Sequence, residues 1–167
     1  ESGLPNMPCM PPTDMGGSLM AFAGILMALV GRARTGRGDY LDMSMYDSVV
    51  SWTPHVAGKA LAECRAPDPR AERTQGGAAF YRPYAAKDGG HITLGGSEMK
   101  FVTNFLTAVG REDLIEVAKE PPGEPQAALH DYLTETFLTK TRDEWTEWFQ
   151  GKDICFAPVL DMVEAFD

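Results

Sequence analysis

The 167-residue chain is 44% hydrophobic and 23% charged, the balance of a globular protein with a core. Its 15 Lys and Arg stand against 24 Asp and Glu, a formal net charge of -9, which excludes the basic footprint that nucleic-acid binding needs. Local contacts to an anionic ligand are not excluded, because they depend on a few side chains and not on the net charge.

Cys9, Cys64 and Cys155 are odd in number and far apart, so neither a metal site nor a disulfide framework is indicated. They are expected to be buried or partly buried free thiols in a reducing compartment. The start, Glu1-Ser2-Gly3, lacks the pattern of a secretion signal. The uninterrupted apolar run Leu19–Val30 is shorter than a bilayer crossing, which takes roughly 20 residues. The expectation is a cytoplasmic protein with no membrane contact. The absence of an initial Met and the aperiodic Pro- and Met-rich opening read as a cut edge.

Residues 1–13 carry Pro5, Pro8, Pro11 and Pro12 and read as a loop. Asp14 then occupies the expected N-cap of a long helix. Leu19, Met20, Phe22, Ala23, Ile25, Leu26, Met27, Leu29 and Val30 cover nearly every side of it, the pattern of a helix buried all round. Gly36 should stop it after Arg32–Thr35. Gly38–Met45 alternates with period two and predicts a strand. A second helix is expected from Met45 or Tyr46 to Cys64, bent or interrupted at Pro54. This order suggests part of an α/β layer over residues 1–64.

Residues 65–79 are polar, with Gly76 and Gly77 as a turn, and read as a linker. Residues 80–167 read as a small α+β domain. Strands Phe80–Ala86 and His91–Leu94 flank a turn at Lys87–Gly90. Ser97 should cap a helix through Phe101, Val102, Phe105, Leu106 and Val109, closed by Gly110. After the break at Pro121–Pro125 comes a helix built on Leu129, Tyr132, Leu133, Phe137 and Leu138. Thr141 and Glu144 form a capping box for a helix holding Trp145, Trp148 and Phe149. Ile154–Leu160 reads as a final strand, and Asp161 begins one more helical turn.

P-loop, dinucleotide and G-x-S-x-G patterns are absent, and His55, His91 and His130 are too scattered for a metal site. Each histidine reads as a surface or hydrogen-bonded polar residue. The segment Thr13-Asp14-Met15-Gly16-Gly17-Ser18 is distinctive. It is open to two readings: a plain cap, or a carboxylate beside backbone N–H groups that a substrate reaches across two glycines. Glu98 opens the helix after Gly95-Gly96-Ser97, either to complement its dipole or as a second acidic site residue. Arg32, Arg34 and Arg37 form either a solvated helix end or a phosphate contact.

Taken together these segments resemble the class III CoA-transferase family, the CaiB/BaiF-like proteins that include formyl-CoA transferase and the α-methylacyl-CoA racemases. The matching text is Asp14–Gly17, Gly24–Leu29, Arg32–Asp47, Phe80–Tyr84, Asp88-Gly89, Gly95–Phe101 and Ala157–Leu160. The stretch Arg34–Met45 is its most specific part, and the likeness runs along almost the whole chain.

The resemblance implies a Rossmann-like large domain and a small domain, with two chains interlocked as a homodimer. It implies that Asp14 is the catalytic aspartate, that Met45 lines the CoA site beside Gly16 and Gly17, and that Gly76-Gly77 matches a glycine-rich loop over the active site. Glu98 matches a glutamate that in the racemases lies beside a catalytic His. No tightly bound cofactor is implied: a CoA thioester is substrate, and a small carboxylic acid is partner. Asp39 departs from a common Gln. The resemblance also places much of the large domain before residue 1, so the segment alone is expected to be inactive. A racemase, or a non-catalytic assembly unit, are the alternative expectations.

Overall fold

The computed structural model describes residues 10–68 and 70–166, and within these the chain divides into two compact units, Glu1–Arg65 and Ala66–Asp167.

The first unit is helical. Helix α1 spans Pro12–Thr35. Pro12 disfavours helical backbone at the residue before it, so Pro11 is extended and the helix starts at Pro12. Asp14 is therefore the third helical residue and not the N-cap, and no side chain caps this end. Gly36, with φ of 72°, ends α1 and donates its N–H to the Arg32 carbonyl at 2.8 Å.

The burial expected on all sides is not met within this unit. Only Gly16, Gly17 and Gly24 of α1 are buried, whereas Leu19, Phe22 and Met27 are 62%, 62% and 69% exposed. Its 24 residues are also long and apolar enough, by length and composition alone, to cross a membrane, which corrects the estimate from the uninterrupted run. Core helices of soluble proteins share that length and composition.

Gly38–Met45 forms no strand. The alternation is real in the side chains: Leu41 and Met43 lie against α1 at Gly24, and Met45 lies against Gly17. Yet no neighbouring strand pairs with this backbone among the described residues, and a ladder needs two chains. Helix α2, Met45–Val50, begins where Ser44 Oγ accepts the Asp47 N–H at 3.1 Å. Pro54 then starts a separate helix α3, Pro54–Glu63, as its first helical residue, so the expected long helix is interrupted there. Cys64 and Cys155 are exposed, against expectation, and Cys9 lies outside the described residues.

The second unit is a three-stranded antiparallel sheet, order β1-β2-β3, from Tyr81–Ala85, His91–Gly95 and Phe156–Val159. Gly89, with φ of 83°, supplies the left-handed turn residue between β1 and β2. Helices α4 (Met99–Ala108), α5 (Ile115–Ala118), α6 (Ala127–Phe137) and α7 (Arg142–Phe149) complete the unit. Tyr84, Ile92 and Leu94 meet Phe105, Leu129, Leu133, Phe137, Trp145 and Phe149 in one core. The Tyr84 phenol, pushed above its usual range by burial, donates to the Ala79 carbonyl at 2.7 Å.

Two local expectations change here. Ser97 does not cap α4: its Oγ accepts from Arg73 Nε at 2.6 Å, and Glu98 holds the cap position without a side-chain cap bond. The expected linker is also not a free tether, since Glu72, Gly77, Ala78 and Ala79 are buried and Ala79 N–H donates to Gln126 Oε1 at 2.9 Å. The capping box at Thr141 and Glu144 is present in both its bonds. After β3, Asp161 Oδ1 accepts the Val163 and Glu164 N–H groups and holds a turn, not a helix.

Arg142 ties that turn to α7. Its Nη1 and Nη2 donate to the two Glu164 carboxylate oxygens at 2.8 and 2.5 Å, and Nη1 also to the Val159 carbonyl at 3.2 Å. These bonds favour the charged carboxylate and hold Glu164 at a pKa of about 2, below its ordinary 4.5. A depressed folded-state value contributes stability that is complete above pH 4.5 and is lost as pH falls toward about 2. Melting curves of the wild type and Arg142→Gln should therefore differ most above pH 4.5 and converge as the pH drops through that window. A gap that is constant with pH would remove the pair as its cause.

Candidate active site

In the first unit, α1 begins with two prolines, and proline has no N–H. Of the four donors that a helix start leaves without partners, only those of Thr13 and Asp14 remain. Asp14 stands in this first turn with its carboxylate exposed, at the positive end of the helix dipole. Its Oδ2 accepts from the Thr13 hydroxyl at 3.4 Å. A solvent-facing carboxylate with one long side-chain contact among the described residues is chemically available.

Gly16 and Gly17 are buried and not open to solvent. A Cβ on Gly16 would lie 2.8 Å from the Trp52 indole, and one on Gly17 would lie 2.8 Å from Met45 Cγ. Their spacing lets α2 and the turn after it close onto α1, so internal packing accounts for both glycines. Met45 is the first residue of α2, half exposed, and is thereby placed one turn along α1 from Asp14. Asp14, Gly16, Gly17 and Met45 are thus brought together by the contact of α1 with α2.

The returning segment and the far half of α1 enclose a groove of about 590 Å³, lined by Gly24, Met27 and Met43 with Arg32 and Arg37 at its polar end. Asp39 lines the same groove. Arg34 lies in the last turn of α1, where cations complement the helix dipole.

In the second unit, Gly76 has φ of 93°, which favours glycine. Gly77 has no room for a side chain: a Cβ would meet Arg70 O, Ala71 C and Glu72 O at 2.8 Å each. The Gly77 carbonyl accepts from Gly123 N–H at 2.9 Å and faces His130 Nε2 at 3.1 Å. The pair is a hydrogen-bonded turn built into the unit. Arg73, three residues before it, meets Ser97 and lies 3.7 Å from the Glu98 carboxylate, so the turn and Glu98 share one corner.

Trp52, Arg73, Arg82 and His130 were not singled out by sequence reasoning as site residues. His130 is half-buried, and burial holds its imidazole below the usual range against the raising effect of its Gly77 bond. Arg82 Nη1 lies 3.1 Å from His130 Nδ1. Such pairs are 48 residues apart in sequence, and no local signal announces them.

The family model described as CoA-transferase family III matches residues 1–167. The α-methylacyl-CoA racemase of Mus musculus is 33% identical over 160 residues, covering 90% of this chain and 39% of that protein. The succinyl-CoA:glutarate CoA-transferase of Homo sapiens is 24% identical over 170 residues, covering 99% of this chain and 38% of that protein. A solved structure of a hypothetical protein from Mycobacterium tuberculosis matches with a TM-score of 0.75 at 21% identity, over 99% of this chain and 44% of that one, a likeness of fold alone. The chain spans about two fifths of the length of the curated relatives it matches. It belongs to CoA-transferase family III.

Proposed function

We propose that this segment carries the nucleophile of a CoA-transferase that moves CoA from an acyl-CoA to a small carboxylic acid. The observation that carries the reading is Asp14, an exposed carboxylate in the first turn of a dipole-bearing helix, in a chain of this family.

Asp14 Oδ attacks the thioester carbonyl, the C–S bond breaks, and CoA thiolate leaves with its electron pair. The product is a mixed anhydride. The thiolate returns to the Asp14 carbonyl carbon, expels the donor acid as its carboxylate and forms an aspartyl thioester. The acceptor carboxylate then attacks that thioester and releases the thiolate again. Attack of the thiolate on the acceptor's acyl carbon finally restores Asp14 and gives the new acyl-CoA. Dividing one exchange between covalent steps keeps the thioester's energy in bonds throughout. Positive potential at the start of α1 suits a group that must stay anionic between attacks.

In this reading the active protein is a cytoplasmic homodimer, with the remaining CoA contacts supplied by a Rossmann-like domain at the relatives' full length. Glu98, set by Arg73, supplies negative charge near the turn in the second unit.

A racemase is the second reading, favoured by the 33% identity to the mouse racemase against 24% to the human transferase. There Asp14 would exchange the α-proton of a 2-methylacyl-CoA as one of two acid–base groups.

The test uses a polypeptide of the relatives' length that carries this segment. A 2-methylacyl-CoA is incubated with a panel of free acids in D2O and read by mass spectrometry. CoA on a new acid is the expected result. A one-mass-unit gain on the original acyl-CoA, without CoA exchange, would establish the racemase instead.

A further inference from the structure

His130 stands on α6 between two groups that make opposite demands on its ring. A guanidinium donates and cannot accept, so Nδ1, 3.1 Å from Arg82 Nη1, must offer a lone pair. The Gly77 carbonyl, 3.1 Å from Nε2, can only accept, so Nε2 carries the hydrogen. Only the neutral Nε2–H form satisfies both.

A second proton has one place to go, Nδ1, the atom that faces Arg82. There it turns the acceptor into a donor and sets two cations against each other. The Gly77 bond survives, because Nε2 keeps its hydrogen. Arg82 is the partner that leaves, since it is exposed on β1 whereas Gly77 is buried backbone. Its other contacts are weak: the Gly76 carbonyl at 3.5 Å from Nη1, and the Tyr84 ring, whose centre is 5.6 Å away. No carboxylate holds this guanidinium among the described residues.

The charged groups that act on the ring are Arg82 from β1 and Asp131, its neighbour on α6, while the turn presents only the Gly77 carbonyl. Half-burial disfavours the imidazolium most, and Arg82 adds to it. The Gly77 bond and Asp131 oppose them without prevailing, so the folded ring takes its proton below the ordinary 6.5.

We propose that His130 is a proton-controlled latch on Arg82: the neutral ring docks the guanidinium beside the Gly76-Gly77 turn, and a proton on Nδ1 releases it. Arg82 lines a groove of about 370 Å³ with Thr74, Gln75, Gly76 and Tyr81, so its release removes part of that groove's wall. Unfolded chains protonate this histidine near 6.5 and folded chains only at lower pH. The stability that the latch contributes is therefore complete above 6.5 and is lost as pH falls through the folded value. The device lies wholly within the second unit and holds for either reading of the reaction.

The test follows the His130 ring nitrogens and the Arg82 Nε–H by NMR in the 167-residue chain, between about pH 8 and about pH 5. At the upper end Nε2 alone should carry hydrogen. As the pH falls, the Arg82 signal should move with the His130 titration, at one shared midpoint below 6.5. His130→Gln, which keeps a side-chain donor for Gly77 and takes up no proton, should leave the Arg82 signal independent of pH. Arg82→Met removes the cation, keeps the Gly77 bond and should raise the His130 midpoint by roughly one unit, the scale of a like charge this close. This second variant tests the latch even where His130→Gln loosens α6. A neutral ring with its hydrogen on Nδ1, an Arg82 signal that ignores the His130 titration, a midpoint at or above 6.5, or an unmoved midpoint in Arg82→Met would each overturn the latch.

Discussion

Asp14→Asn, placed in a polypeptide of the relatives' length, is expected to lower acyl-CoA turnover by roughly 10^4-fold or more, the scale seen when a catalytic nucleophile is removed. Asparagine keeps the shape of the side chain and its place in the first turn of α1, but its amide is neutral and a poor nucleophile. The fold should not notice the change. The Asp14 carboxylate is exposed and among the described residues makes one long contact, to Thr13, so the variant's melting temperature should stay close to that of the wild type. Activity and melting measured on the same preparation therefore separate chemistry from folding. A loss of both would make Asp14 a structural residue, and unchanged turnover would remove it from the mechanism. The same substitution should abolish proton exchange if the racemase reading holds, so the loss identifies the residue and the D2O experiment identifies the reaction.

Phe137→Ala should have the largest effect on stability, about 3–5 kcal/mol for a fully buried aromatic ring. Phe137 is 0% exposed and stands at the centre of the second unit's core. Its ring lies 5.0 Å from Trp145, 5.2 Å from Tyr84 and 5.7 Å from Phe105, so three elements lose contacts together. Two of these neighbours have little freedom to collapse into the gap. The Trp145 indole N–H donates to the Phe137 carbonyl at 2.9 Å, and the Tyr84 hydroxyl is bonded to Ala79. Because the Trp145 bond uses the backbone of Phe137, it survives the substitution and holds the cavity open. Urea unfolding measures the loss. A change below about 1 kcal/mol would mean that the rings repack, against the cost observed for cavities that cannot close.

These two residues also show where sequence reading succeeds. Phe137 belongs to the spacing Leu129, Leu133, Phe137, four residues apart, which places one side of α6 against a core whatever that core contains. The hairpin at Lys87–Gly90, the stop at Gly36 and the capping box of α7 were legible for the same reason: each interaction closes within about four residues. The start of α1 was read three residues late, with the N-cap at Asp14 instead of Pro11. Both Asp14 and Pro12 are helix-start signals, and the restriction that proline puts on its predecessor prevailed.

The family was legible too, because ordered motifs along the chain carry it. The reasons for several of those motif residues were not. Gly16 and Gly17 suggest an open approach to the backbone, yet they lie under Trp52 and Met45, about 30 residues away. Gly38–Met45 alternates as a strand does, but an alternation states only which side chains share a face and cannot supply a partner strand. The apolar length of α1 shows that it is made to be covered and is silent about what covers it.

By itself the sequence determined the family, the nucleophile candidate and those helices and turns whose bonds are local. The fold alone brought Arg73 to Glu98 and His130 to Arg82, contacts separated by 25 and 48 residues. Local signals survive in one dimension because the chain enforces proximity. Such distant pairs have no imprint there, since they meet only after a sheet and a core have brought their backbones together.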